Sequence, residues 1–486
     1  MQYKLAGKEP RAVLRYFEEI AAIPHGSRNT KAISDYLVRF AKEHELRYFQ
    51  DEVNNVVIFA DASPGYEEAE RIVLQGHMDM VCEKNADVVL DMETEPIVLV
   101  LDEDGDTLRA DGTTLGGDDG IAVAMMLAIL EDKTLPHPGL DCIFTVDEEV
   151  GMDGAEALDC AAIHGRKLLN LDSEEEGVFT AGCAGGVQPH ITFPVERKEK
   201  KGLPFMIRVS GLRGGHSGEC IGLGRANANQ ILGRVLCVLG KEFSFRLIRM
   251  DGGSKDNAIT REAEAELLFP CGTDRAAVTA WLDGFAELLR NEYQFTDAGI
   301  SLAGEWGEET ARRVMKRKSA RAVLCFLAVF PYGVQEFSPA FAGLPQTSLN
   351  LGILKTEENA VRAVFLVRSS VNSQKDMMAD RVVSLAEALG GSAELSGCYP
   401  AWEYQAQSPF RDIMARLYEE QTGKKPRIAV IHGGLECGLL SGKLPGLDAV
   451  SIGPDMKDIH TPNEHFSLRS ADRVYQFVLS LLRESR

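Results

Sequence analysis

The ten cysteines, scattered from Cys82 to Cys437, include no C-x-x-C pair. That spacing spells neither a disulfide framework nor a zinc ribbon, and it suits reduced thiols in a cytosol. Long apolar runs are missing as well. A stretch such as Ile121–Leu130 falls far short of the ~20 residues a membrane-spanning helix needs. The opening MQYKLAGKEPRAVLRYFEEI has no apolar core of the secretory kind, so a cytoplasmic location is expected. Positive charge is in deficit: 52 Lys and Arg stand against 73 Asp and Glu, a net −21. Such a surface repels phosphate backbones and anionic headgroups, which argues against nucleic acid and membrane as partners, while acids concentrated locally attract cations. There is no internal repeat and no low-complexity tract. No G-x-S-x-G elbow is present and no thiol sits in a nucleophile motif, which leaves covalent acyl transfer without a nucleophile.

What remains is an ordinary globular composition, 45% hydrophobic and 26% charged over 486 residues, enough for two or three domains with sizeable cores. Residues 11–22 and 29–44 carry helix-period apolar positions, VNNVVIFA (53–60) and RIVLQ (71–75) are strand-like, and Ile121–Leu130 reads as a buried helix. DCIFTV (141–146) and KLLNL (167–171) are again short apolar runs. Short buried strands alternating with helices predict an α/β domain with a largely parallel sheet. From about 188 the texture changes to strand, helix, strands and helix, through FMIRVSGL, AEAELLFP and VRAVFLVRSS, which predicts an α+β unit. After SGCYPAWE the α/β pattern resumes, with a helix near 408–422, strands RIAVI and DAVSI, and a closing helix from Ser470. The reading is one α/β domain, 1–187 and 397–486, interrupted by an inserted domain, 188–396.

Acids and histidines fall at the ends of the α/β strands. His77 and Asp79 project to the same side of an extended chain, so the carboxylate can lock the imidazole tautomer as metal-bound histidines require. Asp118 and Asp119, in Leu115-Gly116-Gly117-Asp118-Asp119-Gly120, precede the buried helix, and either acid can serve as its cap. Asp147-Glu148-Glu149 follows strand 141–146, Asp172 follows KLLNL, and His460 to Glu464 follows DAVSI. Open α/β sheets gather ligands at such strand ends. A mixture of imidazole and carboxylate donors suits two zinc-like ions better than Mg²⁺ or Ca²⁺.

Five segments carry a more specific resemblance: His77-Met78-Asp79-Met80, Gly112 to Gly120, Glu148-Glu149-Val150-Gly151-Met152-Asp153-Gly154, Asp172 to Gly177, and Gly214-Gly215-His216-Ser217-Gly218. With Asn257-Ala258-Ile259, Thr347-Ser348-Leu349-Asn350, His432 to Gly438 and His460-Thr461-Pro462, the chain resembles the aminoacyl-histidine dipeptidases, cytosolic bacterial members of the di-zinc aminoacylase/carboxypeptidase-like metallopeptidases. The resemblance implies an α/β zinc-peptidase-like catalytic domain with an inserted α+β lid domain, and a homodimer paired through the lid. It implies two Zn²⁺, with Mn²⁺ or Co²⁺ as alternatives: His77 and Asp172 on one metal, Glu149 and His460 on the other, Asp118 bridging. Asp79 would orient His77, and Glu148 would be the general base for a metal-bridged hydroxide attacking a small peptide, Xaa-His dipeptides and broader. His216 would stabilise the oxyanion. Asn257 and Arg368 would hold the substrate, Arg368 through its C-terminal carboxylate, and Glu436 would meet the α-ammonium. N-acyl amino-acid deacylation or carboxypeptidase action at the same site is the alternative, and a catalytically inactive peptide-binding protein a more distant one. The loop Glu219-Cys220-Ile221-Gly222-Leu223-Gly224 departs from the family pattern in being shorter and lacking a second histidine.

Overall fold

The computed structural model describes residues 3–486. The chain divides into two compact units, one made of Met1–Gly182, Tyr404–Val430 and Leu435–Arg486, the other of Cys183–Glu403 and Ile431–Gly434. The short segment 431–434 is thus a brief return of the chain to the second unit.

The first unit is built on an eight-stranded sheet in the order Arg47–Gln50, Val56–Ala60, Leu140–Thr145, Ile72–His77, Lys167–Asn170, Asp448–Ser451, Val178–Cys183, Arg427–Ile431. Parallel pairing joins the four strands from Leu140–Thr145 to Asp448–Ser451. Arg47–Gln50, Val56–Ala60 and Leu140–Thr145 pair antiparallel, as do Asp448–Ser451 and Val178–Cys183. The sheet is therefore mixed, where the sequence predicts a largely parallel one; only Arg47–Gln50 and Val56–Ala60 are joined by a short hairpin, and the other antiparallel partners are far apart in sequence. The central strands are buried along their whole length, as their uninterrupted Val, Ile and Leu runs require.

Helix Gly117–Glu131 is apolar on every side, and all residues from Gly117 to Leu130 are buried. It lies between the sheet and helix Arg11–Ala21. Two glycines permit this depth: a methyl on Gly120 would meet the Phe17 ring at 3.4 Å, and one on Gly76 would stand 2.8 Å from Ala122. Phe17 in turn packs edge-on against Phe466. Each such buried aromatic ring adds on the order of 2 kcal/mol of hydrophobic stabilisation. A small four-stranded sheet, Met456–Lys457, His465–Ser467, Thr107–Ala110 and Leu99–Leu101, carries the loop that holds His460.

The second unit is an antiparallel ten-stranded sheet, with helices Ala228–Glu242, Arg275–Glu292, Arg317–Val329 and Asn372–Ala388, around its own core of residues such as Phe205, Leu236, Phe326 and Phe365. Over the first half of Ala263–Phe269 buried and half-exposed residues alternate, as one solvated face demands, and the strand's last three residues are all buried. The fold is α/β with an inserted α+β domain.

Candidate active site

Three neighbouring parallel strands, Leu140–Thr145, Ile72–His77 and Lys167–Asn170, end side by side. His77 is the last residue of its strand, Glu148 and Glu149 follow the first, and Asp172 follows the third. His77 is enclosed, with Nδ1 2.9 Å from the main-chain carbonyl of Asp79 and 3.5 Å from that residue's carboxylate. A carbonyl can only accept, so Nδ1 of the neutral ring carries the proton and the Nε2 lone pair points outward. The tautomer is thus fixed by the Asp79 backbone at least as much as by its side chain. The Asp79 carboxylate accepts from the Ser27 hydroxyl (2.8 Å) and from the amides of Glu148 (3.1 Å) and Glu149 (3.4 Å). It pins the acidic loop to the histidine strand.

Asp118 enters from the start of the buried helix. The sequence leaves open whether Asp118 or Asp119 caps that helix, and neither does. Both depart from helical backbone angles, the peptide between them is cis, and Gly116 in the left-handed conformation takes the cap position. Asp118 aims each oxygen at a different imidazole: Oδ1 lies 3.0 Å from His77 Nε2 and Oδ2 3.2 Å from His460 Nε2. His460 Nε2 is also 2.8 Å from Glu149 Oε1, and His77 Nε2 is 3.9 Å from Asp172 Oδ1. His460 holds a positive φ of 61°, a conformation costing roughly 1–2 kcal/mol for a residue with a Cβ, so its surroundings must fix it there. Donor atoms of His77, Asp118 and Asp172, of His77, Glu148 and Glu149, and of Asp118, Glu149 and His460 lie within 4.8 Å of one another in each group.

The electrostatics of this cluster are unbalanced. Burial works against protonated imidazoles, yet Asp118 and Glu149 outweigh it and raise His460 to about 10. His77 is raised in the same way by Asp118 and Asp79. Burial, then the repulsion of Glu436, Glu149 and Asp118, holds the Glu148 carboxyl well above its ordinary value, against the pull of His77. Burial and the Asp119 charge do the same to Asp172. Asp118 moves the other way: the hydrogen bonds from His460 and His77 overcome burial and depress it.

Glu436 belongs to a layer below. Gln75 stands two residues before His77 on one strand, hence on the same side, Asn170 ends the neighbouring strand two residues before Asp172, and Asn170 donates to Gln75 at 2.6 Å. Gln75 (2.5 Å) and the Thr145 hydroxyl (2.6 Å) both donate to Glu436 Oε2. Glu436 is wholly enclosed. Its Oε2 is held by this support beneath the strand ends, while its Oε1 has no hydrogen-bond partner among the described residues.

His216, Asn257 and Arg368 lie together in the second unit. The two-residue strands Gly215–His216 and Ala258–Ile259 pair, and the Ser217 amide donates to the Asn257 carbonyl at 2.8 Å. Arg368 is 6% exposed, donates to the Tyr399 hydroxyl at 3.0 Å and stands 3.4 Å from His216 Nε2. No ion pair of Arg368 is found among the described residues, and its Nε has no hydrogen-bond partner there. His432, in the returning segment, faces the Ser348 hydroxyl at 2.7 Å. Burial, then the charge of Arg368, pushes it down to about 3.

Comparison with known proteins now bears on this geometry. The profile of Peptidase family M20/M25/M40 matches residues 73–484. The chain belongs to that family. Among relatives of this M20 peptidase, the cytosol non-specific dipeptidase of Escherichia coli is 35% identical over 484 residues, 99% of both chains. The crystal structure of the aminoacylhistidine dipeptidase from Vibrio alginolyticus superposes with a TM-score of 0.87 at 36% identity, covering 99% of this chain and 97% of that one. A tripeptidase from Staphylococcus aureus, at 16% identity and a TM-score of 0.60 over 98% of this chain and 99% of that one, shares the fold.

The residues of the M20 peptidase fit the pair of divalent cations that the resemblance implies. In the bare chain two imidazoles are driven toward protonation and two acids retain protons beyond their ordinary range. Protons stand where cationic charge is wanted, and mixed N/O donors at these separations suit metals of the zinc type. Sequence reasoning gave no role to Glu464, whose carboxylate contacts only main-chain amides, nor to Ser27, the hydroxyl on Asp79. The contacts of Glu464 to the backbone leave no spacing pattern to read.

Proposed function

We propose that this peptidase hydrolyses dipeptides, Xaa-His among them, in the cytoplasm. The supporting observation is the Asp118 carboxylate, one oxygen on His77 and the other on His460. His77 and Asp172 would hold one cation, Glu149 and His460 the other, with Asp118 shared between them; Zn²⁺ is the proposed ion and Mn²⁺ or Co²⁺ the alternatives. Bound there, the pair supplies Lewis acidity and lowers the pKa of a shared water from about 15.7 toward about 7.

The chain's own residues do the rest. Asp79 keeps His77 in one tautomer and holds the Glu148 amide in place. Glu148 takes the proton of the attacking water and returns it to the departing amine. His216 is assigned to the developing oxyanion, and Asn257 and Arg368 to the substrate. A buried guanidinium with no carboxylate of its own favours a free C-terminal carboxylate in bidentate contact. The unit containing 183–403 is proposed as the lid and as the surface of a homodimer.

The test is the release of amino acids from Xaa-His dipeptides, N-acetyl amino acids and tripeptides, with and without chelator. Chelator-sensitive cleavage of dipeptides above the other two classes is expected. Preference for N-acetyl amino acids would make the chain a deacylase, and binding without cleavage would remove the catalytic reading.

A further inference from the structure

We propose that Glu464 is a positioning residue that sets the spacing of the metal site, by clamping the loop of Asp118 to the loop of His460. The inference rests on the reading of Asp118 and His460 as ligands and goes beyond it.

Glu464 is 3% exposed. Its Oε2 accepts from the amides of Leu115 (2.8 Å) and Gly116 (3.2 Å), and its Oε1 from those of Gly117 (2.8 Å) and Asp118 (3.3 Å). Four successive amides at the entrance to a buried helix are donors that the helix itself cannot satisfy, and no side chain at the cap position serves them. A carboxylate more than three hundred residues away in sequence takes all four, two on each oxygen. Charge-assisted bonds to oriented amides are among the stronger contacts a carboxylate makes.

The grip falls on the backbone that leads into Asp118, including Gly116 in the left-handed conformation and Asp118 itself, whose angles are not helical. It comes from a loop with two side-chain-bearing residues at positive φ, Asp458 (52°) and His460 (61°). Glu464 closes this loop immediately before strand His465–Ser467, which is held by its pairing to Thr107–Ala110. Phe466 and Met456 crowd Gly117 from the same side, at 3.0 and 3.2 Å from where a methyl would stand. Every recorded partner of the carboxylate is a main-chain amide, so Glu464 acts through Asp118 and His460 and is not itself a ligand.

The experiment measures Zn²⁺ affinity of the full-length, metal-stripped protein by competition with a chromogenic chelator. In Glu464→Gln one oxygen becomes an NH₂ that faces amide donors. Zn²⁺ binding is expected to weaken 10- to 100-fold, the range for a residue that orients a metal ligand. Glu464→Asp keeps the charge with a shorter reach and is expected to recover part of that affinity; it carries the test if Glu464→Gln does not fold. Asp118→Ala is the control for the reading beneath the proposal. If Asp118→Ala loses Zn²⁺ while the folded Glu464 variant binds as wild type does, even with a lowered Tm, Glu464 is merely structural and the proposal is overturned. If Asp118→Ala also binds normally, the assignment of the ligands fails instead.

Discussion

At the scale of single residues, the site depends on which groups carry protons. Glu148→Gln removes the base and leaves the Glu148 amide on Asp79 untouched. Turnover of a dipeptide should fall 10²- to 10⁴-fold, with metal content by elemental analysis unchanged; near-normal turnover would take the base away from Glu148. Glu436 gives a pH-dependent expectation. Burial, opposed by the charge of His77 and the bonds from Thr145 and Gln75, pushes its carboxyl up to about 7. Its folded pKa lies above the unfolded value, so its contribution to stability is complete below about pH 4.5 and is lost as pH rises through about 7. The loss for a fully buried carboxyl is on the order of 3 kcal/mol. In metal-free protein, denaturant midpoints of wild type should therefore decline relative to Glu436→Gln between pH 5 and 8. Parallel curves would show that the carboxyl ionises without penalty.

At the scale of elements, the buried helix and the histidine strand meet at glycine. A methyl on Gly76 would stand 2.5 Å from Asp119 Oδ2 and 2.8 Å from Ala122. Gly76→Ala should thus cost about 1–3 kcal/mol through overpacking and shift Asp118 away from His77. Calorimetry and zinc titration would check the two consequences, and an unchanged Tm would mean the helix yields without penalty. The apolar runs that ended in His77, Glu148 and Asp172 were legible because a central strand buried on both faces has a nearly continuous hydrophobic sequence. The small sheet that carries His460 was not, since its members are two to four residues long and too short for any period to register. The antiparallel outer strands were equally hidden: Val56–Ala60 is as buried as its parallel neighbours, so composition does not report direction. Among the site residues, type and place pointed to His77, His460 and the acids at the strand ends, while choosing Asp118 over Asp119 and giving Glu148 and Glu149 separate roles took the family resemblance. Glu464 could not be given a role, because a side chain that binds amides looks in sequence like any other loop acid.

At the scale of the whole molecule, the acids that attract cations are also a source of strain when bare. Adding Zn²⁺ to the stripped protein should raise Tm, with a gain of about 2.7 kcal/mol per site at a free concentration one hundred times Kd. Differential scanning fluorimetry with chelator and then with added metal checks this; a Tm indifferent to both would contradict the cluster's need for cations. No helix among the described residues is long and apolar enough to cross a membrane. The brief return of the chain at Ile431–Gly434 has a practical consequence. Ser348 finds its partner in His432, and the amide of Ala184 finds its acceptor in Gly433. A fragment of residues 183–403 excised alone would forfeit both. Anyone grafting the inserted domain of one relative onto another must transplant this distant tetrapeptide with it, for the insert is not a single cassette.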